Sequence, residues 1–144
     1  MNMSPSRILA LDYGSVHTGV AISDPTGTIV RPLDSTTSAA SPEGLKSIAG
    51  IVDQEEVSAV VVGLPVSLSG ELGAQAQETQ VFVDALRDAL TVPVITWDER
   101  FTSKMAAEKG RFSQSNSHSL AACCLLQDYL ESGESRRRAG LEKD

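Results

Sequence analysis

The chain has 144 residues, 41% of them hydrophobic and 22% charged, which is the size and composition of one ordinary globular domain with a core of its own. No segment reaches the about 20 apolar residues of a membrane span, and Met1 to Arg7 does not open a signal peptide, so a cytoplasmic protein without a membrane role is expected. A formal net charge of −7 argues against a surface that grips nucleic acid indiscriminately, because affinity for a phosphate backbone comes from Lys and Arg displacing counterions.

Three short apolar runs open the chain, Arg7 to Asp12, Gly19 to Ser23 and a piece around Thr28 to Val30, and the Gly-rich turns between them predict a β-meander. Ser41 and Pro42 make an N-cap and first-turn pair, and Leu45, Ile48, Ala49 and Val52 then fall on one helical face. Val57 to Val62 is an uninterrupted β-branched run suited to a sheet covered on both faces, and Gly63-Leu64-Pro65 is expected to end it. Phe82, Ala85, Leu86, Ala89 and Leu90 form a second helical stripe, and Val92 to Trp97 predicts a fifth strand running into Asp98-Glu99-Arg100. Two more helices are predicted, a short one over Thr102 to Lys109 and one over His118 to Glu131 that is apolar around most of its circumference.

Cys123 and Cys124, the only two cysteines, lack any zinc spacing and are expected as reduced core residues. From Ser132 the chain is rich in Gly, Arg and Glu, so a single domain over residues 1–131 and a flexible tail over 132–144 are expected. The element order implies an α/β fold, a mixed five-stranded sheet with an antiparallel side and helical crossovers. Basic side chains fall late: residues 1–99 hold four against thirteen acidic ones, and residues 100–144 hold eight against six. Arg100, Lys104, Lys109, Arg111 and the run Arg136 to Arg138 either face a phosphate backbone or belong to a solvated tail, the simpler reading.

Sites in such sheets form where strand ends meet at a switch in strand order, and here Asp12, Pro65 and the pair Asp98 and Glu99 stand at strand ends. Asp12 precedes Tyr13-Gly14-Ser15, a tight turn that either presents its carboxylate to a cation or uses it as a turn cap. Acidic groups gathered in a cleft repel unless a divalent ion neutralises them, and two such ions can activate water and stabilise the leaving oxygen in phosphodiester hydrolysis. Adjacent residues of a strand point to opposite faces, so one of Asp98 and Glu99 is expected to reach Asp12; Glu99 is the choice.

The segments Ile8-Leu9-Ala10-Leu11-Asp12-Tyr13-Gly14, Gly19-Val20-Ala21-Ile22-Ser23-Asp24-Pro25, Val61-Val62-Gly63-Leu64-Pro65 and Asp98-Glu99-Arg100-Phe101-Thr102, in this order and spacing, resemble the YqgF/RuvX family. Ser119-Leu120-Ala121-Ala122 with Leu125, Leu126, Gln127, Tyr129 and Leu130 is similar to the closing helix of that family, so the resemblance runs from about Arg7 to Glu131. It implies a ribonuclease H-like fold and a nuclease site dependent on Mg²⁺ or Mn²⁺. The implied role is maturation of the 5′ end of pre-16S rRNA during ribosome biogenesis, with RNA a better partner than branched DNA; Holliday-junction resolution is an older inference from fold. By the same resemblance Asp12 is a metal ligand and Glu99, or Asp98, the second.

Three departures stand out. Where the family usually has Asp directly before Ser-Leu-Ala-Ala, this chain has His118. Imidazole suits Mn²⁺ or later metals better than Mg²⁺, so His118 is either a substitute ligand, a general acid or base, or the mark of reduced or lost activity. Val16-His17 replaces a basic pair, and the Ser-rich segment 110–117 replaces a longer basic connection, which weakens the electrostatic footprint. Trp97, Phe101 and Phe112 offer rings for base stacking, but the core accounts more simply for Trp97 and Phe101.

Three readings follow: a metal-dependent nuclease, a degenerate relative that binds RNA or a ribosome-assembly partner without cutting, and a fragment of an actin-like ATPase suggested by Asp12-x-Gly14 and Thr18-Gly19. Chain length opposes the last, since those enzymes clamp nucleotide between two such domains. Monomer and homodimer both remain open.

Overall fold

The segment Arg7-Ile8-Leu9-Ala10-Leu11-Asp12 has no polar residue between its ends, and it forms β1 (Arg7–Asp12) at the centre of the sheet, with Leu9, Ala10 and Leu11 wholly buried. The structure, a computed structural model, describes residues 6–65, 73–99 and 117–133. β1 pairs antiparallel with β2 (His17–Ser23), from Leu9 opposite Ile22 to Asp12 opposite Gly19. On its other edge it pairs parallel with β4 (Val57–Pro65), Leu11 facing Val62. β3 (Val30–Thr37) and β5 (Val94–Glu99) complete a five-stranded sheet of order β3-β2-β1-β4-β5.

Alternation along the strands sorts the core into two layers. Leu9, Leu11, Val20, Ile22, Val60, Val62 and Val94 face α1 (Pro42–Gln54) and α2 (Ala74–Ala89), meeting Ile48, Val52, Phe82, Val83 and Leu86. Ile8, Ala10, Ala21, Val61 and Ile95 face α3 (Ser117–Glu131), meeting Ala122, Cys123, Leu125, Leu126 and Tyr129. Covering both faces explains why β1 and β4 read as continuous apolar runs rather than alternating ones. Both cysteines are buried in α3 and not joined in a disulfide. Among the described residues no helix is long and apolar enough to cross a membrane.

Several boundaries differ from the sequence expectation. β3 spans Val30–Thr37, not Thr28 to Val30, because it is the outer strand: its half-exposed, polar residues carry no apolar signal, and Pro32 is tolerated there. Asp24 accounts for the Thr28 region instead, its carboxylate accepting from the Thr28 and Ile29 amides at 2.8 Å and so closing the β2–β3 turn. β4 does not stop at Gly63, since β5 continues beside it and pairs Gly63 with Trp97, Leu64 with Asp98 and Pro65 with Glu99. The helix expected over Thr102 to Lys109 and residues 134–144 of the expected tail lie outside the described residues. Ser132 and Gly133 close α3, Gly133 at φ 79° with its amide on the Leu130 carbonyl at 3.3 Å.

The start of α1 follows the expectation. Ser41 caps it, accepting from the Gly44 amide at 3.0 Å while donating to the Ser38 carbonyl at 2.7 Å. Gly44 packs so closely that a Cβ there would collide with the Ser38 carbonyl and the Ala39 main chain, neither of which a rotamer change can move. Gly44→Ala should therefore lower unfolding free energy by about 1–3 kcal/mol, read from the urea midpoint, despite the higher helix propensity of alanine.

Candidate active site at the end of the first strand

Asp12 is the last residue of β1 and is half-buried. Alternation from Ile8 and Ala10 puts it on the face covered by α3. Its partner across β2 is Gly19, and on β4 the residue after Val62, the partner of Leu11, is Gly63. Both flanking positions thus lack a side chain, so neither neighbouring strand crowds the carboxylate. An anionic oxygen donor flanked by two glycines matches a hard divalent cation in its donor chemistry.

The turn after Asp12 is tied shut. Thr18 Oγ accepts from the Gly14 amide and donates to the Gly14 carbonyl, both at 3.3 Å. A Cβ on Gly14 would collide with the His17 carbonyl, so the turn closes only with glycine there. Tyr13 points to the opposite face and stacks on Phe82 of α2 with ring centroids 4.5 Å apart. Burial, with the nearby Glu78 carboxylate adding to it, raises the Tyr13 phenol above its ordinary value.

On β5 the alternation separates the two acidic candidates. Trp97 lies on the α3 face, donating through Nε1 to Asp128 Oδ2 at 3.0 Å and meeting Tyr129 edge-on at 5.2 Å. Asp98 is therefore exposed on the other face, away from Asp12, and Glu99 falls in the register of Ile95 and Trp97. Trp97 is thus engaged in fastening α3 to the sheet. Glu99 is the final residue of β5 and His118 the second of α3; their side chains lie outside the described structure. So do Arg100, Phe101, Lys104, Lys109, Arg111, Phe112 and Arg136 to Arg138. Among the described residues no group of three His, Cys, Asp or Glu side chains is placed to hold a metal.

Sequence reasoning did not single out the two glycines beside Asp12 or the role of Ser119. Ser119 is buried at the start of α3, where its Oγ accepts from the Val20 amide at 3.0 Å and donates to the Leu33 carbonyl at 2.6 Å. Glycine within an apolar strand run was the available signal, since it marks a bulge or a close approach.

A family model described as RuvX: Holliday junction resolvase matches residues 6–132. A "Putative pre-16S rRNA nuclease" of Thermoanaerobacter pseudethanolicus is 36% identical over 138 residues, covering 90% of this chain and 99% of that protein. A protein of the same description from Rubrobacter xylanophilus is 40% identical over 139 residues, covering 91% and 98%. Among solved structures, T. thermophilus RuvC in complex with Holliday junction substrate superposes with TM-score 0.53 at 16% identity, over 90% of this chain and 96% of that one. The Fowlpox virus resolvase, in complex with Holliday junction DNA, gives 0.51 at 13% identity, over 88% and 97%. The fold is ribonuclease H-like.

The Tyr13 environment has a pH consequence. The unfolded phenol ionises near 10 and the folded one later, so its contribution to stability is full below that pH and declines as pH rises through it. Tyr13→Phe removes this part of the alkaline loss: the urea midpoint should fall less than that of the wild type between about pH 8 and about pH 11.

Proposed function

The chain belongs to the RuvX family, and from that premise we propose that it is a metal-dependent nuclease hydrolysing phosphodiester bonds in RNA, at the 5′ end of pre-16S rRNA, as a cytoplasmic step of ribosome biogenesis. The observation that carries the reading is Asp12 at the end of the central strand, on the α3 face, with glycine on both flanks. Asp12, with Glu99 in the matching register of β5, would hold Mg²⁺ or Mn²⁺, and His118 would stand at the third position. A bound divalent ion supplies charge neutralisation for two carboxylates and lowers the pKa of water for attack on phosphorus.

The remaining work falls to the chain itself. β1 holds Asp12 rigid, because its backbone is paired on both edges. Asp98, on the other face, is assigned no part in binding the ion.

His118 favours a second reading, since imidazole is a weaker ligand for Mg²⁺ than the carboxylate usual in relatives: the chain binds RNA or a ribosome-assembly partner and no longer cuts.

Cleavage of a precursor-rRNA fragment, with branched DNA as the control, decides between these in Mg²⁺ and in Mn²⁺. On the nuclease reading the wild type cuts RNA, and Asp12→Ala loses several kcal/mol of transition-state stabilisation, on the order of a thousandfold in rate. A wild type active in Mn²⁺ and weak in Mg²⁺ would make His118 a ligand. Cleavage by His118→Asp alone would assign the native chain to binding, and preferential cutting of branched DNA would overturn the RNA assignment.

A further inference from the structure

We propose that Ser119 is a positioning residue: its hydroxyl, bridging β2 and β3 beside Asp12, fixes where the first turn of α3 sits and so sets the affinity of the site for its divalent ion. The inference rests on the metal reading of Asp12 given above.

Between the pairs Thr18 with Thr36 and Val20 with Leu33 the β2–β3 ladder slips, leaving Gly19 on β2 opposite both Asp34 and Ser35 on β3. This is a β-bulge, a local break in pairing that re-aims the chain. It lies next to the site, because Gly19 is also the partner of Asp12 across β1.

The hydroxyl of Ser119 meets this break. It takes the Val20 amide at 3.0 Å and gives its own proton to the Leu33 carbonyl at 2.6 Å, an amide and a carbonyl of residues that face each other across the ladder. Ser119 and Val20 are almost completely buried, so water cannot replace the hydroxyl. No side chain at Gly19 stands between the helix and the ladder on that face, which lets α3 approach. Residue 118 precedes Ser119 on the same helical turn, so its main chain is anchored through one hydrogen bond to Val20, next to the partner of Asp12, and a second to Leu33 on β3.

Groups that orient a metal site without touching the ion typically set its affinity by about 10–100-fold. Ser119→Ala deletes both hydrogen bonds without adding volume. Mn²⁺ binding is measured directly from the free-ion electron paramagnetic resonance signal, with Val20 amide hydrogen exchange and thermal unfolding alongside, for the wild type, Asp12→Ala, Ser119→Ala, Ser119→Thr and Gly44→Ala. Gly44→Ala is the control for lost stability alone, since it lies in α1 on the opposite side of the sheet.

The expected result is Mn²⁺ affinity weakened about 10–100-fold in Ser119→Ala with faster exchange at Val20, recovery in Ser119→Thr, and no more than about twofold change in Gly44→Ala. Wild-type affinity in Ser119→Ala, or an equal loss in Gly44→Ala, overturns the positioning role. Should Ser119→Ala not fold, Ser119→Cys, which keeps the volume with a much weaker donor and acceptor, takes its place and faces the same two outcomes. Failure of the underlying reading is separate: wild-type Mn²⁺ binding that Asp12→Ala leaves intact removes the metal site from Asp12, and the role of Ser119 falls with it.

Discussion

β1 is paired along both edges, antiparallel to β2 and parallel to β4, and both of its faces are covered by helices. A strand so placed can neither slide nor rotate, because a shift of one residue would turn Leu9 and Leu11 away from the α1 and α2 layer and bring Ile8 and Ala10 into it. Everything that stands at its end inherits that fixity. Asp12 and the Gly14 turn are held by a backbone that has no alternative register, which is what a site requiring sub-ångström placement of a charge needs.

The sheet divides labour between its faces. The α1 and α2 face is built for stability: the Tyr13 ring on Phe82, the Ser41 cap and the close packing at Gly44 all belong to it. The α3 face carries the candidate chemistry. Asp12, Gly19, Gly63 and the register of Glu99 fall there, and Trp97 with Asp128 and Tyr129 fastens the helix farther along. Ser119 ties the near end of α3 to the bulge and Trp97 ties its body to β5, so the helix is held on both sides of the sheet's centre.

The electrostatics fit a protein that must be selective about nucleic acid. With net charge −7 and the acidic side chains concentrated before residue 100, general attraction to phosphate is weak, and nucleic-acid binding has to come from particular contacts. If the site proposed at Asp12 holds a divalent ion, His118 at the third position would make the ligand set less negative, and metal identity would then matter for this chain.

Periodicity and turn chemistry in the sequence determined the strand and helix order, the Ser41 cap, the buried central strands and the position of Asp12 at a strand end, because each depends on a few neighbouring residues. The family resemblance was legible in the same segments. Polar, Pro-containing β3 was not, since an outer strand needs no apolar alternation; nor was the extension of β4 past Gly63, which exists only because β5 runs alongside. Which face each carboxylate occupies became definite once the strand ends were known, for the parity that separates Asp98 from Asp12 depends on β5 continuing through Glu99. The glycine pair beside Asp12 and the bond of Ser119 to Val20 join residues up to 99 positions apart. Contacts of that range are set by how layers stack, and tertiary structure alone decided them.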